Sequence, residues 1–312
     1  MARALPRFEP RRELGRTGFA ATSIGIGDLA DRKVPVAECV ATVRRAMDAG
    51  LNVIDTAPSY EDGYSEKIVG LALQGRRDGM FVIDKIDHHD QPVAPQLEGS
   101  LRRLGLDRVD LAVFHSASSV EGWAQLKAPG GGWQQLEDCR RQGKCRFVGI
   151  SSHDPQVLSD ALSAGLVDVV LFPVGPYVDR RFVDDVLPLA KRRGVGTVCF
   201  KAFGGGKLLG DTEGYSRPLS ARPRGKVSSG GEDQADPRLP RLSVRQCLHY
   251  TLTLDPDVAL LGLSFPNEQD AALAAAADFE PLGADQMRRI EQLAAQAVQD
   301  KGRCWWNPQP AP

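Results

Sequence analysis

The chain has no apolar run of membrane length, which argues against a transmembrane helix. Its first residues, MARALPRFEPRRELGRTGF, carry arginines but no apolar signal core, so a soluble cytoplasmic protein is expected. An excess of one charge is lacking too. Lys and Arg number 39 against 40 Asp and Glu, and a net charge of −1 gives no basic footprint for nucleic acid. Cysteine is sparse and unpatterned: Cys39, Cys139, Cys145, Cys199, Cys247 and Cys304 form no C-x-x-C, so neither a zinc site nor a disulfide framework is expected. His88 and His89 in DHHD diverge as neighbours and have no evident third ligand, so no metal is assigned.

What is present is alternation. Short apolar runs near 25–30 and at 52–56, 81–85, 110–115, 146–151, 168–173, 195–200 and 258–264 read as buried strands. Between them lie amphipathic helix candidates such as VAECVATVRRAMDAG, SEKIVGLALQ, PQLEGSLRRLGL, WQQLEDCRRQG, PQVLSDALSAG and FVDDVLPLAKRRG. Eight strands in strict β-then-α order predict parallel pairing with right-handed crossovers, hence an α/β fold of the (β/α)8 TIM-barrel type. An open doubly wound sheet is the alternative, since sequence does not give strand order. RRELGRTGF predicts an N-terminal hairpin plugging the barrel floor, and GADQMRRIEQLAAQAVQDK an extra helix near the C-terminus. Residues 1–312 are expected to form one domain, with a Gly-, Pro- and Ser-rich loop at about 210–240 and a tail at 302–312.

Four polar residues emerge at strand ends: Asp55 and Tyr60 in NVIDTAPSY, Lys85 in MFVIDK and His115 in LAVFH. The carboxyl ends of barrel strands are where such folds place catalysis. Together with Gly50, Thr56, Ala57, Ser65, Glu66, Gly70, the opening RELGRTGFAATSIGIG and the later GKCRFVGIS, they give the chain a resemblance to the aldo-keto reductase superfamily over roughly residues 11–300. That resemblance implies a (β/α)8 barrel holding a nicotinamide cofactor at its carboxyl face.

Hydride reduction of a carbonyl places negative charge on oxygen and needs a nearby acid, for which an ordinary tyrosine is too weak at neutral pH. An ammonium at Lys85 is expected to lower the Tyr60 pKa, with Asp55 keeping that ammonium charged and His115 orienting the substrate oxygen.

The cofactor residues follow from the resemblance with departures. Ser151 and Ser152 stand where the family has a Ser-Asn pair for the carboxamide, Leu171 replaces a Gln, and Phe200 is placed to stack on the nicotinamide ring. The loop after the seventh strand offers Lys201, Gly204, Gly205, Gly206 and Lys207 to a pyrophosphate. Pro266, Asn267, Glu268 and Gln269 open the last barrel helix and present amides, but no Lys or Arg lies between Gly262 and Ala277, while Glu268 and Asp270 would repel a 2′-phosphate. NADP is the expected cofactor, with NAD as the alternative. Trp123 and Trp133, in the long connection after the fourth strand, are expected in a substrate loop, while the Trp305-Trp306 pair is expected either over the substrate mouth or as a staple of the tail to the barrel wall.

The function implied is NAD(P)(H)-dependent interconversion of a small aldehyde, ketone or sugar carbonyl with its alcohol. A non-redox lyase or isomerase, a transient oxidation-reduction enzyme, and a cofactor-binding regulatory subunit remain alternatives. The oligomeric state has no signature.

Overall fold

Eight of the apolar runs close into a parallel barrel in the computed structural model, which describes residues 5–28, 32, 34–209, 240–262, 266–299, 304, 306 and 307. A two-stranded hairpin, β1 (Arg12–Glu13) and β2 (Ala20–Ala21), precedes the barrel strands β3 (Ile24–Ile26), β4 (Val53–Asp55), β5 (Phe81–Ile86), β6 (Val109–Phe114), β7 (Cys145–Ser151), β8 (Val169–Pro173), β9 (Gly196–Phe200) and β10 (Val258–Leu261). Each strand pairs in parallel with the next, and β10 returns to β3, with Leu260 opposite Gly25. This order removes the open-sheet alternative.

Side chains alternate across a strand, and here one parity points inward. Val53, Phe81, Ile83, Leu111, Val113, Val169, Leu171, Val198, Val258 and Leu260 form an interior core, which Leu14 and Ala21 of the hairpin join from below. Phe19 reaches the same core, its ring 5.0 Å from Phe81. The hairpin therefore plugs the floor, as its sequence predicted. The opposite parity, including Val82, Ile86, Ala112 and Phe114, packs against the helices in a second and larger core.

The helices are α1 (Val36–Asp48), α2 (Tyr64–Leu73), α3 (Val93–Leu104), α4 (Val120–Lys127), α5 (Gly132–Arg141), α6 (Pro155–Ala164), α7 (Leu187–Arg192), α8 (Val244–Thr253), α9 (Pro266–Ala277) and α10 (Ala284–Ala297). Two depart from expectation. The stretch after the fourth strand that carries Trp123 was not among the expected helices, but Ser119 accepts the Gly122 N–H at 3.1 Å and starts α4. The FVDDVLPLAKRRG helix begins as a π-turn over Phe182–Val186, in keeping with Pro188, which has no N–H to continue an ordinary helical ladder.

Trp123 and Trp133 are buried in this helical layer. Their rings meet edge to face at 5.5 Å, and the Trp123 indole donates to Asp160 at 2.7 Å. They are core residues and present no face to a substrate. Residues 210–239, the Asn267 side chain and Trp305, on which earlier expectations fell, lie outside the described residues.

Candidate active site

The inward parity carries through to the carboxyl mouth of the barrel. Asp55 continues the row of Val53, Lys85 that of Phe81 and Ile83, and His115 that of Leu111 and Val113. Tyr60 joins them from the turn after β4, which reverses through Glu61 and Asp62 at φ of 52° and 51° and Gly63 at 82°. Ser116, directly after His115, also has positive φ, at 53°. Left-handed non-glycine backbone is uncommon, and here it flanks the residues at the mouth.

Lys85 is buried and donates to both Asp55 carboxylate oxygens at 2.7 Å and to the Thr56 carbonyl at 2.7 Å. Its ammonium lies 4.4 Å from the centre of the Tyr60 ring. Burial alone would push Lys85 down, but Asp55 and Tyr60 hold it above its ordinary value. Burial also pushes the Tyr60 phenol up, and the opposing pull of Lys85 does not overcome it. This reverses the expected direction. Lys85 acts with the anticipated sign, but desolvation of the phenolate is the larger effect, so Tyr60 stands as a neutral phenol.

His115 sits edge-on to Tyr60, ring centres 5.6 Å apart. Its Nδ1 is hydrogen-bonded to Asp87, and its backbone carbonyl accepts from His89 Nε2 at 2.9 Å. Asp87 also accepts the Ser59 N–H at 2.7 Å and the Ser59 hydroxyl at 3.1 Å. The mouth thus brings together a charged ammonium–carboxylate pair, a phenol and an imidazole on one side.

The matches to known proteins can be set against this geometry. Residues 22–295 match the family model described as Aldo/keto reductase family. The chain belongs to the aldo/keto reductase family. It is accordingly an aldo-keto reductase-like oxidoreductase. It is 29% identical to L-galactose dehydrogenase of Arabidopsis thaliana, covering 88% of this chain and 90% of the relative. With aldo-keto reductase YhdN of Bacillus subtilis the identity is 27%, over 82% of this chain and 85% of the relative. Among solved structures, the holo form of aldo-keto reductase AKR11C1 from Bacillus halodurans superposes with a TM-score of 0.69 at 22% identity, covering 95% of this chain and 99% of the other. An aldo-keto reductase from Klebsiella pneumoniae in complex with NADPH gives 0.65 at 22% identity, over 94% and 96% of the two chains.

In this aldo-keto reductase the opposite side of the mouth is built differently. Ser151 and Phe200 continue the inward rows of β7 and β9, and Phe200 packs at the top of the interior core, 5.3 Å from the His153 ring. Ser152 is fully buried, and its hydroxyl serves the turn, accepting the Asp154 N–H at 3.0 Å. Leu171 is interior core.

Beyond Phe200 the chain turns through Lys201 at φ of 72°, then Gly204, Gly205 and Gly206 at 55°, 62° and 90°. Three successive left-handed residues are accessible to glycine without strain and leave room for close backbone approach. Gly175, two residues past β8, lets the chain pack closely against this turn, since a Cβ there would lie 2.7 Å from the Lys201 carbonyl. Burial pushes Lys201 down to about 8. Lys207 is fully buried, and both ammonium groups lie over the Trp306 ring, at 5.4 and 5.7 Å. Trp306 is itself buried and donates to the Tyr177 carbonyl at 3.2 Å. Trp306 therefore packs onto the glycine-lysine turn.

At α9, Glu268 is buried and Gln269 donates to the Thr42 carbonyl at 2.8 Å. Arg45 of α1 pairs with Asp270 and donates to Gln269 at 2.9 Å. Asp270, expected to repel a phosphate, is thus charge-paired.

Sequence reading missed Asp87, Ser59 and Arg45. Asp87 was visible two residues after Lys85, but DHHD drew attention as a metal motif. Ser59 directly precedes Tyr60, whereas nothing near α9 in the sequence signals Arg45.

Proposed function

We propose that the chain works as one barrel domain that reduces a small aldehyde, ketone or sugar carbonyl to its alcohol, and runs the reverse oxidation, with NADP(H) as cofactor. NAD(H) is the alternative cofactor. The observation that carries this reading is the buried Lys85–Asp55 pair set under the Tyr60 ring and beside His115.

The mouth fits a nicotinamide dinucleotide in its donor chemistry. Phe200 would stack on the ring and Ser151 would meet the carboxamide. The Gly204–Gly206 turn with Lys201 and Lys207 would take the pyrophosphate, and the start of α9 near Asn267 and Glu268 the adenosine end. Ser152 belongs to this group by position, acting through the turn it holds. When bound, the cofactor supplies the hydride.

Tyr60 gives its phenolic proton to the substrate oxygen as negative charge develops there. Burial disfavours the resulting phenolate, and Lys85, kept charged by Asp55, is the cation that stabilises it. His115 presents its imidazole to the same oxygen and orients the carbonyl. Support also comes from the relatives: an L-galactose dehydrogenase and an NADH-specific methylglyoxal reductase of Escherichia coli both carry names that specify small carbonyl or sugar substrates.

The test is turnover of NADPH or NADH with a panel of aldehydes, ketones and sugars, in the wild type and in Tyr60→Phe. The expected result is turnover by the wild type that falls about 10³-fold in Tyr60→Phe, with nucleotide affinity retained. Tyr60→Phe activity within about threefold of wild type would remove the tyrosine from the chemistry. Tight nucleotide binding with no turnover of any panel member would overturn the reductase reading.

A further inference from the structure

We infer that Asp87 is a positioning residue which holds the His115 ring with Nδ1–H on its carboxylate, leaving Nε2 as the ring nitrogen that meets the substrate oxygen. This rests on the reductase reading above. Three observations lead to it. The Asp87 carboxylate is hydrogen-bonded to His115 Nδ1. It also binds the backbone N–H and hydroxyl of Ser59, at 2.7 and 3.1 Å, so one carboxylate ties His115 to the turn that carries Tyr60. The His115 carbonyl is fixed from the other side by His89, at 2.9 Å. Side-chain exposures of 19% for His115 and 12% for Asp87 leave the pair largely shielded from water.

The chemical consequence concerns which form of His115 can act. An acceptor at Nδ1 selects the Nδ1–H tautomer of a neutral imidazole. That tautomer offers only a lone pair at Nε2. It can accept from the hydroxyl of an alcohol, but it cannot donate to a carbonyl oxygen. Donation from Nε2 requires the imidazolium, and the Asp87 carboxylate stabilises that cation. Burial works against the Asp87 carboxylate, yet the bonds from His115 and Ser59 hold it below the usual carboxylate range, so it stands as an anion beside the ring. His115 keeps its protons through the reduction, while Tyr60 supplies the one that ends on the alcohol.

The titratable groups around His115 are Asp87 and His89 from the loop after β5, Asp55 and Tyr60 from β4 and its loop, and His153 after β7. Asp55 is occupied by Lys85, which leaves Asp87 as the carboxylate in contact with the ring.

The alternative role for Asp87 is to brace the Ser59 turn and nothing more. Asp87→Asn, Asp87→Glu, His115→Ala and the Asp87→Asn/His115→Ala double variant separate the two, measured by steady-state kinetics across pH, nucleotide affinity and ¹⁵N NMR of labelled histidine, with His115→Ala assigning the resonance. Expected are a fall of about 10- to 100-fold in kcat/KM for carbonyl reduction in Asp87→Asn and partial recovery in Asp87→Glu. The double variant should lie within about twofold of His115→Ala alone. The wild-type neutral ring should be the Nδ1–H tautomer, a preference that weakens in Asp87→Asn. An Nε2–H neutral tautomer in the wild type, or losses that multiply in the double variant, overturns the inference. If no carbonyl is turned over, the reductase reading fails, while the NMR arm still decides whether Asp87 sets the tautomer.

Discussion

The two sides of the barrel mouth are held together by different physics. From β4 to β6 the groups are side chains paired atom to atom: Lys85 to Asp55 at 2.7 Å, His115 to Asp87, Asp87 to Ser59. From β7 to α9 the structure relies on backbone shape, with a run of left-handed glycines, Phe200 at the top of the interior core and lysines placed around Trp306. Acid-base chemistry tolerates little displacement of a proton-bearing atom, so it requires particular residue types. A cradle for a long anionic ligand can be made by many backbone solutions. On the proposed function, the first side depends on particular residue types where the second depends on backbone shape.

The largest effect that would break this contrast is on the charged pair. Lys85→Met leaves the buried Asp55 carboxylate without its cation, which costs about 3–5 kcal/mol, and also removes the charge that stabilises a Tyr60 phenolate. The double variant Asp55→Asn/Lys85→Met should regain much of the stability without regaining activity. Denaturant unfolding and kinetics on both variants check this. Recovered turnover in the double variant would mean the pair serves only to fold the barrel mouth.

How much of each side could be read from sequence follows from the same contrast. The eight strands and the positions of Asp55, Lys85 and His115 were legible because a period of two, continued past the last core residue, fixes which side chains face inward. Tyr60 was legible from its motif. Its raised pKa was not, since the balance between burial and Lys85 depends on three-dimensional shielding. Arg45 was invisible because it meets Gln269 across 224 residues of sequence. α4 was missed because eight residues containing Gly122 give a weak helical signal, and its start depends on the Ser119 cap. Trp123 lies in that missed helix, so its burial in the helical layer was not anticipated.

A smaller effect probes the second side. No Lys or Arg lies in sequence between Gly262 and Ala277, and Arg45, the cation brought to α9, is paired with Asp270. Discrimination between NADPH and NADH should therefore stay below about a hundredfold, or about 2.7 kcal/mol. Calorimetric titration with both nucleotides measures it directly. A larger preference for NADPH that disappears in Arg45→Ala would show that Arg45 exchanges Asp270 for the 2′-phosphate, giving this side a paired side-chain contact like those of the first.

The smallest effect lies just beneath the first side, where Lys85 has an outward-facing neighbour. Asp84 is fully buried between β5 and the helices; its Oδ1 accepts the Lys85 N–H at 2.8 Å while its Oδ2 has no hydrogen-bond partner among the described residues. Burial, with Glu66 adding like charge, pushes Asp84 up to about 7. Lys85 pulls the other way without overcoming burial, and Arg103 is paired with Glu66. A carboxyl whose pKa is higher folded than unfolded binds more protons in the folded state, so its contribution to stability is full below about pH 4 and is lost as pH rises through about 7. Asp84→Asn keeps an acceptor for the Lys85 N–H and does not ionise. Its melting temperature should exceed that of the wild type at pH 8, and the gap should narrow steadily toward pH 4. Because the variant differs in a single carboxyl, the other acid groups cancel in the comparison. A gap independent of pH would mean that Asp84 is neutral, or equally ionised, throughout, and that charge on this side is confined to the pairs facing the mouth.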